Sequence, residues 1–452
     1  MSSSLLVKSN AKSGPRFLLD AIDRWLTRAA ARPHVGLLSV LALALSLRVA
    51  FALWLPDGIL WIDGQRYVKI AESLLAGQGF GSLQMNMIAV PTQPLLIAAF
   101  KALPGGSFTL VRAGFALLGA VTCVLAYWLG ARMFDARTGL LSGLILAVYP
   151  MHAYVSALFE VPQTFFVLVV SAAFLALYRA QRARDVRFWG LSGALFGLSA
   201  LSVPTILPFL PSVVLWIPVR ESDRSRWLPA MAAFSIGVIA ALSPWATRNY
   251  LAYGHPVLVN VAGGENFWKA NSLTYFEYGK RAVALPCESG THGEAYCAEL
   301  ARVQAEAERL GLDENEAILY ADKAAWRGGM SFVREYPLKF LQLTGRKLLS
   351  LFSPWPDAVS SAAQEGSDHQ RWAAALTYGP VLILGVLGLW RSRARWQEFL
   401  PIYCYLATLI VLYSLFVPTI RYRLPVDFFL VLFAADWLNR ALRARASNQS
   451  FS

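Results

Sequence analysis

Charge is scarce in this chain: Asp, Glu, Lys and Arg together make up 15% of its 452 residues, against roughly a quarter in an ordinary soluble domain. With 56% hydrophobic residues gathered in blocks rather than in alternation, that shortage excludes a soluble globular enzyme. Histidine is scarcer still, and His34, His152, His255, His292 and His369 form no i, i+4 pair, so no metal signature is present. A divalent metal stays open only through His152 and His255, both expected on the outer face. The chain has four cysteines. Cys123 and Cys404 fall inside apolar blocks and read as buried thiols. Cys287 and Cys297 lie in a long polar stretch, where either a disulfide or two free thiols fit an oxidising compartment. No P-loop, no GxGxxG strand–turn–helix and no nucleophile elbow occurs, which removes support for cytosolic ATP or nucleotide-sugar chemistry. Internal repeats and low-complexity runs are absent as well.

What the chain does have is apolar length. A bilayer core needs roughly 20 apolar residues per helix, and ten candidate spans follow: 35–55, 108–130, 139–153, 158–178, 188–202, 205–219, 228–246, 373–390, 397–417 and 424–439. Those of about 15 residues (139–153, 188–202, 205–219) cross only where the bilayer thins. Residues 16–32 carry apolar side chains at helical spacing against Asp and Arg, the pattern of an amphipathic helix on the cytoplasmic membrane surface. No cleavable signal peptide is read in the polar and basic stretch that comes before the first block.

Orientation checks the count. The net charge of +13 sits in short clusters between apolar blocks, the distribution of cytoplasmic loops rather than of a nucleic-acid surface. Threading ten spans from a cytoplasmic N-terminus puts RAQRARDVR (179–187), RESDRSR (220–226), RSRAR (391–395) and RALRARAS (440–447) inside. An odd number of spans before 179 breaks that pattern. Two long segments then fall outside, 56–107 and 247–372. In the second, 294–352 has helical periodicity and Pro337 opens a helix running along the membrane surface.

The residues that carry chemistry collect at the outer ends. Asp63 follows the first span by about eight residues and precedes an amphipathic helix over 65–76. Two compatible roles stand for it, a helix N-cap and a general base on a substrate hydroxyl. Glu160 opens the fourth span with almost no charge around it. A carboxylate there is costly unless paired or wet, so it is a second site residue unless it is merely interfacial; Pro162 nearby keeps the start of the helix irregular and Glu160 toward a cavity. Arg48, Arg248, Arg421 and Arg423 all lie at outer ends of spans, against the topology rule. An anionic phosphate is the partner that suits a guanidinium fork, with snorkelling to headgroups as the plain alternative.

Taken in order, these motifs resemble those of the GT-C superfamily of membrane glycosyltransferases. They are the late Arg of the first span, the outer Asp before AESLLAGQGF, VPTQP (90–94), the acid opening span four, PW-x-x-RN closing span seven, GGENFWKANS (263–272), and RYRLP before the last helix. The likeness is strongest to protein O-mannosyltransferase-like and aminoarabinose-transferase-like enzymes, over about residues 35–440. It implies a polyprenyl-phosphate-sugar donor used on the outer face, with inversion at the anomeric carbon. Asp63 maps onto the family's base and Glu160 onto its second acid. Arg248, Arg421, Tyr422 and Arg423 map onto donor-phosphate contacts, and Arg48 is grouped with them. One departure is plain: many relatives carry two adjacent acids in the first outer loop, whereas Gly64 follows Asp63 here.

The expected fold is therefore an all-α, GT-C-like bundle of about ten transmembrane helices, with amphipathic helices on the outer face and a small periplasmic loop region. Its parts are a cytoplasmic amphipathic N-terminus (1–34), a transmembrane module (35–246) with its catalytic outer loop (56–107), a periplasmic region (247–372), and C-terminal helices with a cytoplasmic tail (373–452). The expected activity is inverting transfer of a sugar from a polyprenyl-phosphate donor to an envelope glycan, lipid or protein at the periplasmic face of a bacterial inner membrane. No cofactor and no nucleic acid are called for. Rival readings are a lipid or polysaccharide flippase, which would place charge near the midplane, and an O-antigen-ligase-like transferase using a diphosphate-linked glycan, which needs the arginines but no base.

Overall fold

A backbone in lipid must satisfy its own hydrogen bonds, and an apolar block does so as a helix. All ten apolar blocks fold largely as helix in the computed structural model, which describes residues 15–80, 87–220, 223–279, 294–353 and 368–449. No strand occurs among the described residues. In chain order the helices are α1 (Pro15–Ala31), α2 (Pro33–Trp54), α3 (Ile62–Leu75), α4 (Thr92–Lys101), α5 (Phe108–Met133), α6 (Ala136–Val148), α7 (Pro150–Ser156), α8 (Gln163–Ala183), α9 (Val186–Ala200), α10 (Leu210–Arg220) and α11 (Arg224–Tyr253). There follow α12 (Gly263–Ala270), α13 (Leu273–Tyr278), α14 (Glu294–Arg309), α15 (Glu314–Glu335), α16 (Pro337–Leu351), α17 (Asp368–Arg391), α18 (Trp396–Leu415) and α19 (Leu424–Gln449). Short 3-10 turns at Pro204–Phe209, Ser392–Arg395 and Ile420–Arg423 lead into α10, α18 and α19.

Five helical runs are long and apolar enough to cross a bilayer: α2, α5, α8, α11 and the stretch Ala375–Leu415. The pair α6–α7, bent by 63°, makes a sixth when its halves are taken together. Ala375–Leu415 is not one straight helix. Tyr403 Oη donates to the Leu389 carbonyl at 3.2 Å, although 14 residues of straight helix rise about 21 Å. The 3-10 turn at Ser392–Arg395 thus bends the run between α17 and α18. The other blocks fall short for visible reasons. Helix α9 has 15 residues, α10 has 11, and α19 carries the buried acids Asp427 and Asp436. The chain is a multi-pass membrane protein. These five or six runs take in six or seven of the ten apolar blocks, by length and composition alone.

The bundle is apolar outside as well as inside. Leu53, Leu215, Ile236, Ile239, Leu376 and Ile383 are 61–69% exposed, an arrangement that suits lipid and not water. Where helices touch most closely, glycine allows it: a Cβ on Gly193 of α9 would lie 2.0 Å from the Phe234 carbonyl of α11. Helix α1 docks one face on the bundle. Leu26 and Ala29 are buried in the main core, and Asp23 pairs with Arg137 at the start of α6. Pro337 stands at the first position of α16, as its sequence predicts. Cys123 is buried and Cys404 half-buried, both free thiols. The Cys287–Cys297 pairing falls outside the described residues.

Candidate active site

The connection between α2 and α3 is tied down residue by residue. Asp57 Oδ1 accepts from the Thr109 N–H at 2.8 Å, which fastens the chain to the first turn of α5. Arg112 Nη2 donates to the Gly58 carbonyl at 2.6 Å, and the Leu60 N–H donates to Glu160 Oε1 at 3.0 Å. Helix α3 then opens with Trp61 at the N-cap position, without a side-chain cap. Asp63 sits in the first helical turn, so the capping role expected of it belongs to no side chain here. The positive end of the helix dipole still favours a carboxylate at that point. The Asp63 side chain is 40% exposed, and its Oδ2 accepts from Arg421 Nη1 at 2.9 Å. These residues lie 358 positions apart in the chain.

Glu160 lies directly beneath this turn, in the irregular segment between α7 and α8. It is fully buried, whereas the irregular start at Pro162 led to the expectation that it faces a cavity. Arg112 donates to both of its oxygens, Nη1 to Oε2 at 3.3 Å and Nη2 to Oε1 at 3.2 Å. Ion pair and turn form one unit, because Arg112 holds Gly58 while Glu160 holds Leu60. Sequence reasoning passed over Arg112. Its signal was the one used for the other arginines, a lone cation near the outer end of an apolar block.

VPTQP has a structural job in the same place. Buried Gln93 donates through Nε2 to the carbonyls of Phe159 and Val161, and Thr92 donates to the Leu201 carbonyl at 3.3 Å. These bonds satisfy backbone groups that the irregular segment around Glu160 leaves free of helix.

The arginines separate into two sorts. In the 3-10 turn Ile420–Arg423, residues two apart point in different directions. Arg421 turns to Asp63, with its Nε buried and unpartnered. Tyr422 stacks on Tyr413 with ring centroids 4.9 Å apart. Arg423 turns inward, is 2% exposed, pairs with Asp427 at 3.2 Å, donates to the Ser353 carbonyl at 2.9 Å and lies over the Tyr378 ring. Arg48 is buried too. It donates to the carbonyls of Leu146 and Ala147 at 3.2 and 3.1 Å, the open end of α6 created where Pro150 supplies no N–H. Arg248 is half-buried among Phe80, Trp245 and Tyr253, its guanidinium 5.0–5.3 Å from the three ring centroids. Its bonds go to Tyr253 Oη and Asn249 Oδ1, with no acid partner among the described residues. The structure therefore brings Asp63, Glu160 and Arg421 together, sets Arg248 in an aromatic box, and places Arg48 and Arg423 in internal networks.

GGENFWKANS fixes α15 and α16 to the bundle. Asp322 Oδ1 accepts from the Gly264 and Glu265 N–H groups at the start of α12. A Cβ on Gly264 would meet the Asp322 carbonyl at 2.0 Å. Asn271 donates to the Leu415 carbonyl at 2.8 Å. Buried Lys347 of α16 donates to that same carbonyl, to the Ala270 carbonyl and to Asn271 Oδ1 at 3.0–3.2 Å. Burial lowers the Lys347 ammonium to about 7.

No group of three or more His, Cys, Asp or Glu suited to a metal occurs among the described residues. The His152 ring is buried, with Nε2 3.1 Å from the Leu424 carbonyl.

Comparison with known proteins gives one family model and several folds. The model for dolichyl-phosphate-mannose-protein mannosyltransferase matches residues 89–247. That stretch includes Arg112 and Glu160 but neither Asp63 nor Arg421. No curated protein matches the chain. The crystal structure of the Archaeoglobus fulgidus oligosaccharyltransferase in the apo form aligns over 92% of this chain with a TM-score of 0.52 at 15% identity. Its complex with an inhibitory peptide and a dolichol-phosphate aligns with a TM-score of 0.51, also at 15% identity and 92% coverage. The chain spans about half of that protein's length, 52% and 51% in the two structures. ArnT from Cupriavidus metallidurans bound to undecaprenyl phosphate aligns at 14% identity over 89% of this chain and 77% of its own, with a TM-score of 0.43. The resemblance to GT-C membrane glycosyltransferases read from the sequence holds in both the family model and the fold.

Proposed function

We propose that this GT-C-like chain moves a sugar from a polyprenyl-phosphate donor to an acceptor hydroxyl, with inversion at the anomeric carbon. Asp63 takes the acceptor's proton as its oxygen attacks that carbon from the face opposite the phosphate. The bond from the anomeric carbon to the phosphate oxygen breaks, and polyprenyl phosphate leaves with the charge. Arg421 and Arg248 meet that charge, since cations aimed where charge develops contribute most to such a step. The acceptor is an envelope glycan, lipid or protein, and the site faces the periplasm of a bacterial inner membrane. The side follows from the basic loops at the other end of the spans.

One observation carries this reading: Asp63 and Arg421, from opposite ends of the chain, meet at 2.9 Å with the carboxylate 40% exposed. A base for the acceptor and a cation for the phosphate are thus adjacent. Arg248 adds a guanidinium without an acid partner among the described residues. An archaeal oligosaccharyltransferase of this fold has been solved with a dolichol-phosphate, which suits the same donor class. Glu160 and Arg112 take a positioning role here. They grip Gly58 and Leu60 and so set the turn from which Asp63 projects. Arg48 and Arg423 are assigned to holding helix ends rather than substrate.

The test is transfer by purified protein supplied with a polyprenyl-phosphate sugar. Wild type should release polyprenyl phosphate, whereas Asp63→Asn should bind donor and melt normally but transfer nothing. Transfer by Asp63→Asn within a few-fold of wild type would remove Asp63 as the base. A wild-type protein that moves labelled lipid across vesicles without transfer would favour a flippase.

A further inference from the structure

Helix α8 runs from just after Glu160 to Ala183, 21 residues or about 31 Å, one bilayer core. At its far end the chain turns through Arg184, the one non-glycine residue at positive φ among the described residues (φ 55°). Glycine fills that left-handed C-terminal position without strain, and an arginine there is disfavoured. Arg184 has no ion-pair partner among the described residues, and it lines a cavity of about 510 Å³. Arg220 and Arg226 line the same cavity from the end of α10 and the start of α11, beside Trp189 and Trp227. Gln181 orients Arg220, accepting from its Nε and Nη2 at 2.5 and 2.9 Å when its amide oxygen faces the guanidinium. Of the acids nearby, Asp185 accepts from the Arg187 N–H. Asp223 caps α11 through Ser225 and lies 3.4 Å from Arg226. The described lining holds these three arginines and no acid.

We propose that this cavity is a second binding site, remote from Asp63, for a phosphate diester, with an anionic phospholipid headgroup as the source that suits its place. Arginines at the ends of three helices line one cavity, and a guanidinium fork matches phosphate oxygens. Trp189 and Trp227 mark the depth at which aromatic rings meet headgroups. Its volume is that of a ligand pocket, and basic pockets between spans on the cytoplasmic side hold anionic headgroups. The site needs nothing from the proposed transfer reaction.

The test uses the full chain in nanodiscs of phosphatidylcholine, of phosphatidylcholine with phosphatidylglycerol, and of phosphatidylcholine with inorganic phosphate in the buffer. Thermal melting and native mass spectrometry are the readouts. Phosphatidylglycerol should raise the wild-type melting temperature and stay bound, with Arg220→Gln retaining it about tenfold more weakly, the effect of one charge-assisted bond. Arg184→Gly controls for folding, because glycine suits the turn. It should melt no lower than wild type in phosphatidylcholine, yet lose most of the response to phosphatidylglycerol. A shift with inorganic phosphate as large as that with the lipid would assign the site to a soluble phosphorylated ligand. Identical melting of wild type in all three preparations, or a full lipid response in both variants, would overturn the proposal.

Discussion

Gly64 lies against Glu160 so closely that a Cβ on residue 64 would come 2.4 Å from Glu160 Cγ. No side chain fits between the Asp63 turn and the buried carboxylate. The absence of a second acid beside Asp63 is therefore a matter of space: Glu160, fixed by Arg112, fills the volume that an adjacent carboxylate would need. Gly64→Ala should force the turn and Glu160 apart at a cost of about 1–3 kcal/mol, as overpacking does. The expected outcome is a lower melting temperature together with reduced transfer. An unchanged melting temperature would mean that the turn and Glu160 are not packed in this way.

The Arg112–Glu160 pair is buried on both sides. Removing one partner leaves an uncompensated charge, so Arg112→Met should cost about 3–5 kcal/mol, whereas replacing both with apolar residues is often close to neutral. Thermal melting of Arg112→Met, Glu160→Met and the double variant should show two severe losses and a substantial recovery. The recovered double variant should still transfer poorly, because neither Gly58 nor Leu60 keeps its anchor. Full activity in the double variant would remove the pair from positioning Asp63.

The helices were legible in the sequence because lipid leaves the backbone few options, and apolar length alone marks a span. Their number was less so. Asp427 and Asp436 make α19 look polar although both are buried against the bundle. The sequence placed Asp63 at the site but could not show which arginine reaches it, since Arg421 and Arg423 read alike. Only the three-residue period of the 3-10 turn sends one to Asp63 and the other to Asp427. Arg48 shared the signal of an outer-end cation, yet its partners are the carbonyls left open by Pro150, a need that arises only once α6 breaks.

Lys347 gives a pH dependence with a defined sign. Burial lowers it to about 7 from an ordinary 10.5, so the unfolded chain binds the proton more tightly than the folded one. Stability from this group therefore rises with pH between about 7 and 10.5 and is level below 7. Lys347→Met should abolish that slope while leaving Asn271 and two carbonyls short of a donor. Melting temperatures measured from pH 6 upward should show wild type gaining on the variant only above about pH 7. Parallel curves throughout would mean that Lys347 does not titrate in this range.

Arg248 and Arg423 should separate cleanly on substitution. Arg423 holds Asp427 and the Ser353 carbonyl in the interior, so Arg423→Ala should lower the melting temperature sharply whether or not donor is present. Arg248 lies half-buried among aromatic rings, with no acid partner among the described residues, and Arg248→Ala should melt near wild type. Transfer by Arg248→Ala should fall on the order of 10²-fold, the usual loss for one group that stabilises developing charge. Lys at 248 should restore only part, being a point charge without the fork. Wild-type transfer by Arg248→Ala would leave that residue as a lipid anchor.

Asp63 and Arg421 can be tested as a pair. If they are only an ion pair, a contact this exposed contributes under about 1 kcal/mol, and either residue can be lost with little effect on melting or transfer. If each has its own part in the reaction, the two single variants should fail differently. Asp63→Asn should retain donor binding but no transfer, because an amide cannot take the acceptor's proton. Asp63→Glu should keep partial activity, its carboxylate displaced by about one methylene. Arg421→Ala should bind donor weakly and transfer on the order of 10²-fold more slowly. The deciding variant is the exchange Asp63→Arg with Arg421→Asp, which rebuilds the ion pair but puts the carboxylate on the 3-10 turn and the guanidinium on α3. A structural pair tolerates that exchange, whereas a base and a phosphate contact do not. The exchanged protein should therefore melt somewhat below wild type, because the start of α3 then carries a cation, and should transfer nothing. Recovery of transfer in it would exclude both residues from the chemistry.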